Sequence, residues 1–147
     1  MPSYKSAVPA ILVDASGLIA LLDKSDAAHA DAVTALATIR EPLLTVWPAL
    51  TEAMHLLRDV ARGQDTLFQM IGDQAVGLAP HDVDDLRRMH ELMRKYSDLP
   101  MDFADAALVR TAERNGLNRI FTFDAHFRLY RLPGRGRFTV IGLSGNK

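Results

Sequence analysis

Residues 10–22 read Ala-Ile-Leu-Val-Asp-Ala-Ser-Gly-Leu-Ile-Ala-Leu-Leu, and this stretch decides the predicted fold. Its first part, Ala10–Val13, is a short apolar run without helical spacing, and Asp14 closes it. Such a run is typical of a parallel strand that is buried on both faces. Asp14 would leave the end of this first strand, with the hydroxyl of Ser16 two residues later. We therefore expect a strand end at which a carboxylate can hold a cation while a hydroxyl orients it.

Strand-like and helix-like segments alternate along the rest of the chain. Short apolar runs predict further strands at Leu43–Trp47, Ala75–Ala79, Arg119–Phe123 and Phe138–Ile141. Helical patterns lie between them, at Asp26–Ile39, Pro48–Val60, Asp82–Tyr96 and Asp102–Asn115. We predict that Asp82 is an N-cap, that Gly63 ends a helix and that Gly116 terminates another. The alternation predicts an α/β protein, a three-layer α/β/α sandwich with a central, mainly parallel sheet.

Length and composition narrow the class of protein. The 147 residues are predicted to form one domain, residues 1–147, with 48% hydrophobic and 24% charged residues, as in an ordinary soluble globule. The chain has no cysteine, which excludes disulfides and thiolate zinc sites and fits a reducing compartment. Its apolar runs are too short to cross a bilayer, and no signal peptide is expected. We predict a cytoplasmic protein without membrane contact.

Further acidic residues fall where predicted elements begin or end. Glu52 lies in the first turns of a helix, Asp102 and Asp105 open another helix, and Asp124 closes a strand. The carboxyl ends of parallel strands and the starts of the following helices share one edge, where ligands bind. We expect these side chains to meet Asp14 there. Converging carboxylates repel one another unless a cation lies among them, and Mg²⁺ and Mn²⁺ prefer such ligands.

Asp14 and three of these further acidic residues also have a purely structural explanation. Asp14 or Ser16 could cap the next helix, and Glu52 complements a helix N-terminus. Asp102 and Asp105 have the spacing of a capping box. On that interpretation the chain is a binding or scaffold protein, and its behaviour would not respond to a chelator. A metal-dependent phosphatase for small molecules is disfavoured, because no second acid follows Asp14 two residues on.

The C-terminal third of the chain is basic, although the net charge of −1 gives no general argument for nucleic acid binding. From residue 106 onwards the only acids are Glu113 and Asp124, and the cations are Arg110, Arg114, Arg119, Arg128, Arg131, Arg135, Arg137 and Lys147. A basic segment beside an acidic cluster could guide a polyanion towards a metal. Solvated surface is the alternative explanation. The candidate substrate-binding residues are Arg128, Arg131 and Arg135.

Four stretches of the chain resemble one known family. They read Val-Asp-Ala-Ser-Gly-Leu-Ile-Ala-Leu-Leu around Asp14, Leu-Thr-Glu-Ala around Glu52, Leu-Pro-Met-Asp-Phe-Ala-Asp-Ala-Ala-Leu-Val around Asp102 and Asp105, and Phe-Thr-Phe-Asp-Ala-His-Phe around Asp124. These stretches are similar to segments of PIN-domain ribonucleases, and most of all to those of the VapC-type toxins of type II toxin–antitoxin pairs. The resemblance runs over nearly the whole chain.

The resemblance implies a role for each of the acidic residues. It makes Asp14, Glu52, Asp105 and Asp124 an acidic quartet, with Asp102 as an additional carboxylate. Ser16 and Thr122 would be supporting hydroxyls. Metal held by Asp14, Asp105 and Asp124 would neutralise charge on a scissile phosphate, while Glu52 would act on the attacking water or help to hold a second metal.

The resemblance also implies the activity and the partners. The expected protein is an endoribonuclease that uses Mg²⁺ or Mn²⁺, cleaves RNA, forms a homodimer and is blocked by a small antitoxin in its active-site groove. Two alternatives stay open at this point. One is a PIN-domain nuclease of RNA processing that is not a toxin, and the other is a non-catalytic nucleic-acid-binding protein of the same fold.

Overall fold

Strands and helices alternate along residues 9–143, the part of the chain that the computed structural model describes. The strands are β1 (Ile11–Val13), β2 (Leu43–Val46), β3 (Val76–Ala79), β4 (Arg119–Thr122), β5 (Arg131–Leu132), β6 (Gly136–Arg137) and β7 (Thr139–Gly142). The helices are α1 (Ala15–Leu22), α2 (His29–Ala37), α3 (Trp47–Leu56), α4 (Gly63–Gly72), α5 (Val83–Lys95) and α6 (Phe103–Asn115). Short 3₁₀ turns cover Ala125–Arg128 and Pro133–Arg135.

The main sheet has β1 at its centre. Its strand order is β3-β2-β1-β4-β7, and every neighbouring pair is parallel. Leu12 pairs with Leu44 on one side and with Ile120 on the other. The chain therefore adds strands on one side of β1 and then on the opposite side. This change of direction between β1 and β4 is a topological switch point, the place where ligands bind in open α/β sheets.

Helices cover both faces of the sheet. Within β1, Ile11 and Val13 join the core that includes residues of α1, α2 and α4, whereas Leu12 joins the core that includes residues of α5 and α6. This alternation is the two-residue period of a strand. Because both faces of the strand are buried, every residue of β1 is apolar. The predicted three-layer α/β/α sandwich is confirmed. None of the helices within residues 9–143 combines the length and apolar character that crossing a bilayer requires.

Gly17 lets α1 lie very close to the sheet. A Cβ atom at this position would be 2.8 Å from the carbonyl oxygen of Phe121 and 2.9 Å from Cγ2 of Val13. The carbonyl oxygen belongs to the backbone of β4, so it cannot move aside cheaply. A larger residue would push α1 outwards. The glycine thus holds the start of α1 against the ends of both central strands.

The prediction that Gly63 ends a helix is wrong. The third helix ends at Leu56, and Gly63 is the first residue of α4. A Cβ atom at Gly63 would lie 3.0 Å from the Cβ atom of Val60 and 3.3 Å from that of Leu57. The glycine therefore serves a tight corner between two helices. Asp82 and Gly116 behave as predicted, the first as the N-cap of α5 and the second as the left-handed C-cap of α6.

Candidate active site

Acidic residues cap three helical segments. Asp14 follows the last residue of β1 and caps α1, Asp102 caps α6, and Asp124 follows β4 and caps the 3₁₀ turn Ala125–Arg128. The capping explanation is therefore correct for Asp14 and Asp102, and Asp124 is a further cap that the sequence did not indicate. It does not compete with a role at a ligand site, because Asp14 and Asp124 follow the two strands that flank the switch point.

The Asp14 carboxylate is buried and held on both oxygens. Its Oδ1 accepts hydrogen bonds from Ser16 Oγ at 2.8 Å and from the Gly17 amide at 3.0 Å, and its Oδ2 accepts one from Thr122 Oγ1 at 2.6 Å. Burial raises the pKa of Asp14 to about 6, although these hydrogen bonds oppose the increase. The Asp124 charge raises this pKa a little further.

The two predicted supporting hydroxyls also bind the backbone that follows β4. The Phe123 amide donates to Ser16 Oγ at 2.9 Å, and the Asp124 amide donates to Thr122 Oγ1 at 2.9 Å. The same hydroxyls donate to Asp14. Ser16 and Thr122 therefore fix the chain that carries Asp124 relative to the Asp14 carboxylate.

Asp102 and Asp105 form a reciprocal capping box at the start of α6. The Asp105 amide donates to Asp102 Oδ1 at 2.8 Å, and the Asp102 amide donates to Asp105 Oδ2 at 3.4 Å. Burial raises the pKa of Asp105 to about 7, and the neighbouring charge of Asp102 acts in the same direction. Asp102 itself is exposed.

A tyrosine that the sequence did not single out contacts this pair. The hydroxyl of Tyr130 donates to Asp105 Oδ2 at 3.0 Å, and the residue is fully buried. Tyr130 stands alone in the sequence, without a partner at a meaningful spacing. Its only signal is that it follows Asp124 closely, which by itself does not separate it from a core aromatic residue.

Asp124 and Glu52 complete the acidic group. Asp124 Oδ1 accepts a hydrogen bond from the His126 amide and lies 2.9 Å from His126 Nδ1. Glu52 is exposed on α3, and within residues 9–143 no hydrogen bond to its carboxylate is found. Although the residue as a whole is exposed, partial desolvation of the carboxylate raises the pKa of Glu52, and the charges of Asp102 and Asp124 raise it further.

The five carboxylates share one electrostatic environment. The charge of Asp124 raises the pKa values of Asp14, Glu52 and Asp105, so these carboxylates lie within electrostatic range of Asp124. However, among the described residues no three His, Cys, Asp or Glu side chains are gathered closely enough to form a ready metal cluster. An all-oxygen donor set under mutual repulsion fits a hard divalent cation, provided that some side chains turn towards it.

Several of the arginines that were considered for RNA binding are engaged elsewhere. Arg110 and Arg114 pair with the buried Asp85 at 2.7 and 2.6 Å, and Arg119 pairs with Glu41 at 2.6 Å. These three ion pairs tie α6 to α5 and the start of β4 to the segment before β2. They are structural contacts, so the basic character of the C-terminal third overstates the charge that is available to a ligand.

The three candidate substrate-binding arginines differ from one another. Arg131 Nη1 donates to the carbonyl oxygens of Arg128 and Leu129 at 3.2 and 2.8 Å, so this guanidinium closes the 3₁₀ turn. Arg128, Arg135 and Arg137 form no ion pair with a carboxylate of the described range. Lys147 lies outside the described residues. None of the three candidates forms an ion pair with an acid of the described range, but the Arg131 guanidinium is occupied by backbone carbonyl oxygens, so Arg128 and Arg135 are the better candidates for phosphate contacts.

Comparison with known proteins identifies the family. The model of the PIN domain family matches residues 11–132. The chain belongs to the PIN-domain family. Ribonuclease VapC26 of Mycobacterium tuberculosis is 31% identical to this PIN domain over 135 residues, which cover 89% of the chain and 99% of the relative. The predicted resemblance to PIN-domain, VapC-type proteins is therefore confirmed. PIN-domain nucleases generally use divalent metal ions.

Solved structures share the fold of this PIN domain at lower identity. VapC20 of M. tuberculosis, described as a sarcin-ricin loop cleaving toxin, has a TM-score of 0.72 and 22% identity over 78% of this chain and 90% of its own. A toxin–antitoxin complex from Klebsiella pneumoniae gives 0.61 and 20%, covering 78% and 87%. VapBC2 of Rickettsia felis, bound to a DNA fragment from its promoter, gives 0.63 and 10%, covering 90% and 98%.

Proposed function

We propose that this PIN domain is a metal-dependent endoribonuclease and the toxin of a toxin–antitoxin pair. The observation that carries the proposal is the placement of Asp14 and Asp124 beside the β1/β4 switch point, within electrostatic range of Glu52 and Asp105. Burial raises the pKa values of Asp14 and Asp105 towards neutrality, so these groups ionise reluctantly without a counter-charge. The relative that is 31% identical over nearly the full chain is a ribonuclease.

In this proposal, Asp14, Asp105 and Asp124 hold Mg²⁺ or Mn²⁺. The cation would neutralise the carboxylates and, as a Lewis acid, oppose the negative charge that develops on the scissile phosphodiester. Ser16 and Thr122 keep the Asp14 carboxylate in one orientation through the hydrogen bonds described above. Asp102 caps α6 and adds negative charge next to Asp105 without being a required ligand.

Glu52 is the member of the quartet that suits proton transfer. It is exposed, whereas Asp14 is buried and Asp105 is partly buried. Its pKa is raised by partial desolvation of the carboxylate and by the charges of Asp102 and Asp124, which makes it a better proton acceptor than a free glutamate. We assign Glu52 to orienting the attacking water and accepting its proton, with help in holding a second metal as the alternative.

The proposed substrate is RNA, in keeping with the ribonuclease VapC26 and with VapC20, the sarcin-ricin loop cleaving toxin. Arg128, in the 3₁₀ turn that Asp124 caps, and Arg135, in the next such turn, would contact phosphates of the RNA. We further propose a small antitoxin as partner, since two of the similar structures are toxin–antitoxin complexes. A homodimer is also part of the proposal, and the exposed apolar side chains of Trp47, Val83, Leu86 and Phe103 offer a surface that a second copy could cover.

The test is cleavage of total RNA by the purified protein with Mn²⁺, with Mg²⁺ and with a chelator, followed by mapping of the cleaved ends. We expect discrete cleavage sites that need the metal and that disappear in Asp105→Asn. The matched control is Asp73→Asn, an exposed carboxylate just after α4. Metal-dependent cleavage without any effect on growth would support the alternative of a PIN-domain nuclease in RNA processing. RNA binding without cleavage would contradict the enzyme and support the non-catalytic alternative.

A further inference from the structure

Tyr130 connects the two halves of the acidic group. It lies just after the 3₁₀ turn that Asp124 caps, and its amide donates to the carbonyl oxygen of His126 at 3.3 Å. Its hydroxyl reaches Asp105 at the start of α6. The side chain therefore spans from the segment that follows β4 to the start of the helix that carries Asp105.

The ring of Tyr130 is held on two sides. Tyr96 packs edge-on against it with ring centroids 5.1 Å apart, and Phe127 does so at 5.2 Å. The hydroxyl of Tyr96 accepts a hydrogen bond from the Arg131 amide at 2.9 Å, so Tyr96 is fixed in turn. Because the ring is fully buried among these neighbours, its hydroxyl has little freedom to leave Asp105.

The donors to Asp105 are arranged asymmetrically. The Tyr130 hydroxyl and the Asp102 amide both reach Oδ2, at 3.0 and 3.4 Å. Within residues 9–143 no hydrogen bond reaches Oδ1. The backbone contact is long, so the tyrosine makes the shorter of the two bonds that set the rotation of this carboxylate. A tyrosine hydroxyl is a donor at neutral pH, whereas an ionised carboxylate can only accept, so the bond runs from Tyr130 to Asp105.

We infer that Tyr130 is a positioning residue of the metal site: its hydroxyl holds Oδ2 of Asp105 and leaves Oδ1 free for the cation. The inference rests on the proposed function and extends it, because it names the side chain that orients one ligand. A tyrosine that merely satisfied its own buried hydroxyl would contribute to folding and leave metal affinity unchanged. The two roles therefore separate in a measurement of metal binding.

The experiment compares Tyr130→Phe with Tyr96→Phe in the full chain. Both substitutions remove one hydroxyl from the same aromatic cluster and keep the ring, but only the first removes a donor to Asp105. Mn²⁺ affinity is measured by calorimetry at a temperature well below both melting points, and RNA cleavage is measured separately. We expect Tyr130→Phe to weaken Mn²⁺ binding by about 10-fold or more and to lower kcat, with KM for RNA nearly unchanged. Tyr96→Phe should bind Mn²⁺ like the wild type.

Equal Mn²⁺ affinity in Tyr130→Phe and in the wild type would overturn the inference, whatever happens to the melting temperature. If the wild type binds Mn²⁺, loses affinity in Tyr130→Phe and yet cleaves no RNA, the positioning role stands and the proposed ribonuclease activity fails. If the wild type binds no Mn²⁺, both are overturned.

Discussion

The Asp14 carboxylate serves two elements at once. It accepts a hydrogen bond from the Gly17 amide, which caps α1, and another from the hydroxyl of Thr122, which belongs to β4. A cap needs only the first contact. The second links the carboxylate to a strand that is distant in sequence, and it explains how an acidic side chain that is only 7% exposed can be accommodated. Capping and the proposed ligand role use the same orientation of the side chain.

The titration of Asp105 predicts how stability changes with pH in the metal-free protein. A carboxyl group whose pKa rises on folding, here from 3.8 to about 7, binds its proton more tightly in the folded state. The free energy of unfolding therefore falls as the pH rises from about 4 to 7. Asp105→Asn removes this titration. Its amide oxygen can still accept from Tyr130 and from the Asp102 amide, since both donors reach a single oxygen.

We expect Asp105→Asn to be more stable than the wild type at pH 7.5 by about 1 kcal/mol or more, a magnitude discounted for solvent screening, and to show a smaller advantage at pH 4.5. Urea unfolding in chelator at both pH values measures the difference, with Asp73→Asn as the control. Saturating Mn²⁺ at pH 7.5 should reverse the order. A pH-independent difference between the two proteins would assign the effect to something other than the Asp105 proton.

At the level of elements, the capping box at the start of α6 separates two roles. Asp102 accepts the shorter of the two reciprocal hydrogen bonds, at 2.8 Å against 3.4 Å, so it is the better cap. We expect Asp102→Ala to lower the free energy of unfolding by about 0.5–2 kcal/mol and to reduce cleavage only modestly. Asp105→Ala should cost less stability, because it also removes a repelled charge, but should abolish cleavage. Melting temperatures and initial rates are measured for both variants. If they rank the other way round, Asp105 is the cap and Asp102 is the ligand.

The elements that the sequence predicted correctly are those whose pattern is set by burial. The five strands of the main sheet are apolar because helices cover both faces, so their runs are visible without knowledge of the fold. Because the carboxyl ends of parallel strands lie at one edge of the sheet, the positions of Asp14 and Asp124 at that edge follow from the strand pattern and do not depend on the loops. Helix α4 and the ribbon of β5 and β6 were not predicted, since α4 follows a tight corner at Gly63 and each ribbon strand has only two residues.

The parts of the site that the sequence could not predict depend on contacts between distant elements. Tyr130 reaches Asp105 only because the 3₁₀ turn after β4 lies against the start of α6. Likewise, Arg131 could not be separated from its neighbours, because its role depends on the carbonyl oxygens to which its guanidinium donates. Identical residue types within one basic segment therefore have different structural roles.

The arginines between Asp124 and β6 are expected to have two different roles, RNA binding and stabilisation of the fold. We expect Arg128→Ala combined with Arg135→Ala to weaken RNA binding, and each lost phosphate contact to lower the salt slope by about 0.7. Arg131→Ala should mainly lower the melting temperature, since its guanidinium closes the turn. Affinities are measured against salt in an Asp105→Asn background, which blocks turnover. Arg40→Ala is the control, because Arg40 precedes β2 and lies at the opposite edge of the sheet. If the salt dependence of RNA affinity is unchanged in the double variant, both arginines are solvated surface residues that do not contact RNA.

At the scale of the whole molecule, the topology places Asp14 and Asp124 after neighbouring strands, and the rest of the chain supports this arrangement. The change of direction at β1 places the ends of β1 and β4 side by side, and Gly17 lets α1 approach both of them. On the far side of the sheet, Asp85 binds Arg110 and Arg114 and so fixes α6, which carries Asp105, against α5. The repulsion between carboxylates is thus contained by a scaffold of apolar packing and ion pairs.

The whole protein is also expected to have an effect on the growth of a cell that expresses it. If the acidic group cleaves cellular RNA, expression of the chain alone in a bacterium should stop growth and reduce protein synthesis soon after induction. Asp105→Asn should be harmless at the same protein level, because it keeps the fold and the hydrogen bonds of the capping box. Asp73→Asn should be as toxic as the wild type, which separates the loss of one particular carboxylate from the loss of any charge. Growth curves, amino-acid incorporation and immunoblots for soluble protein measure these outcomes.

Co-expression of a small protein encoded beside the gene should restore growth, and this small protein should co-purify with the chain. Normal growth with abundant soluble wild-type protein, together with metal-dependent cleavage in vitro, would exclude the toxin and leave a PIN-domain nuclease with a narrower RNA target.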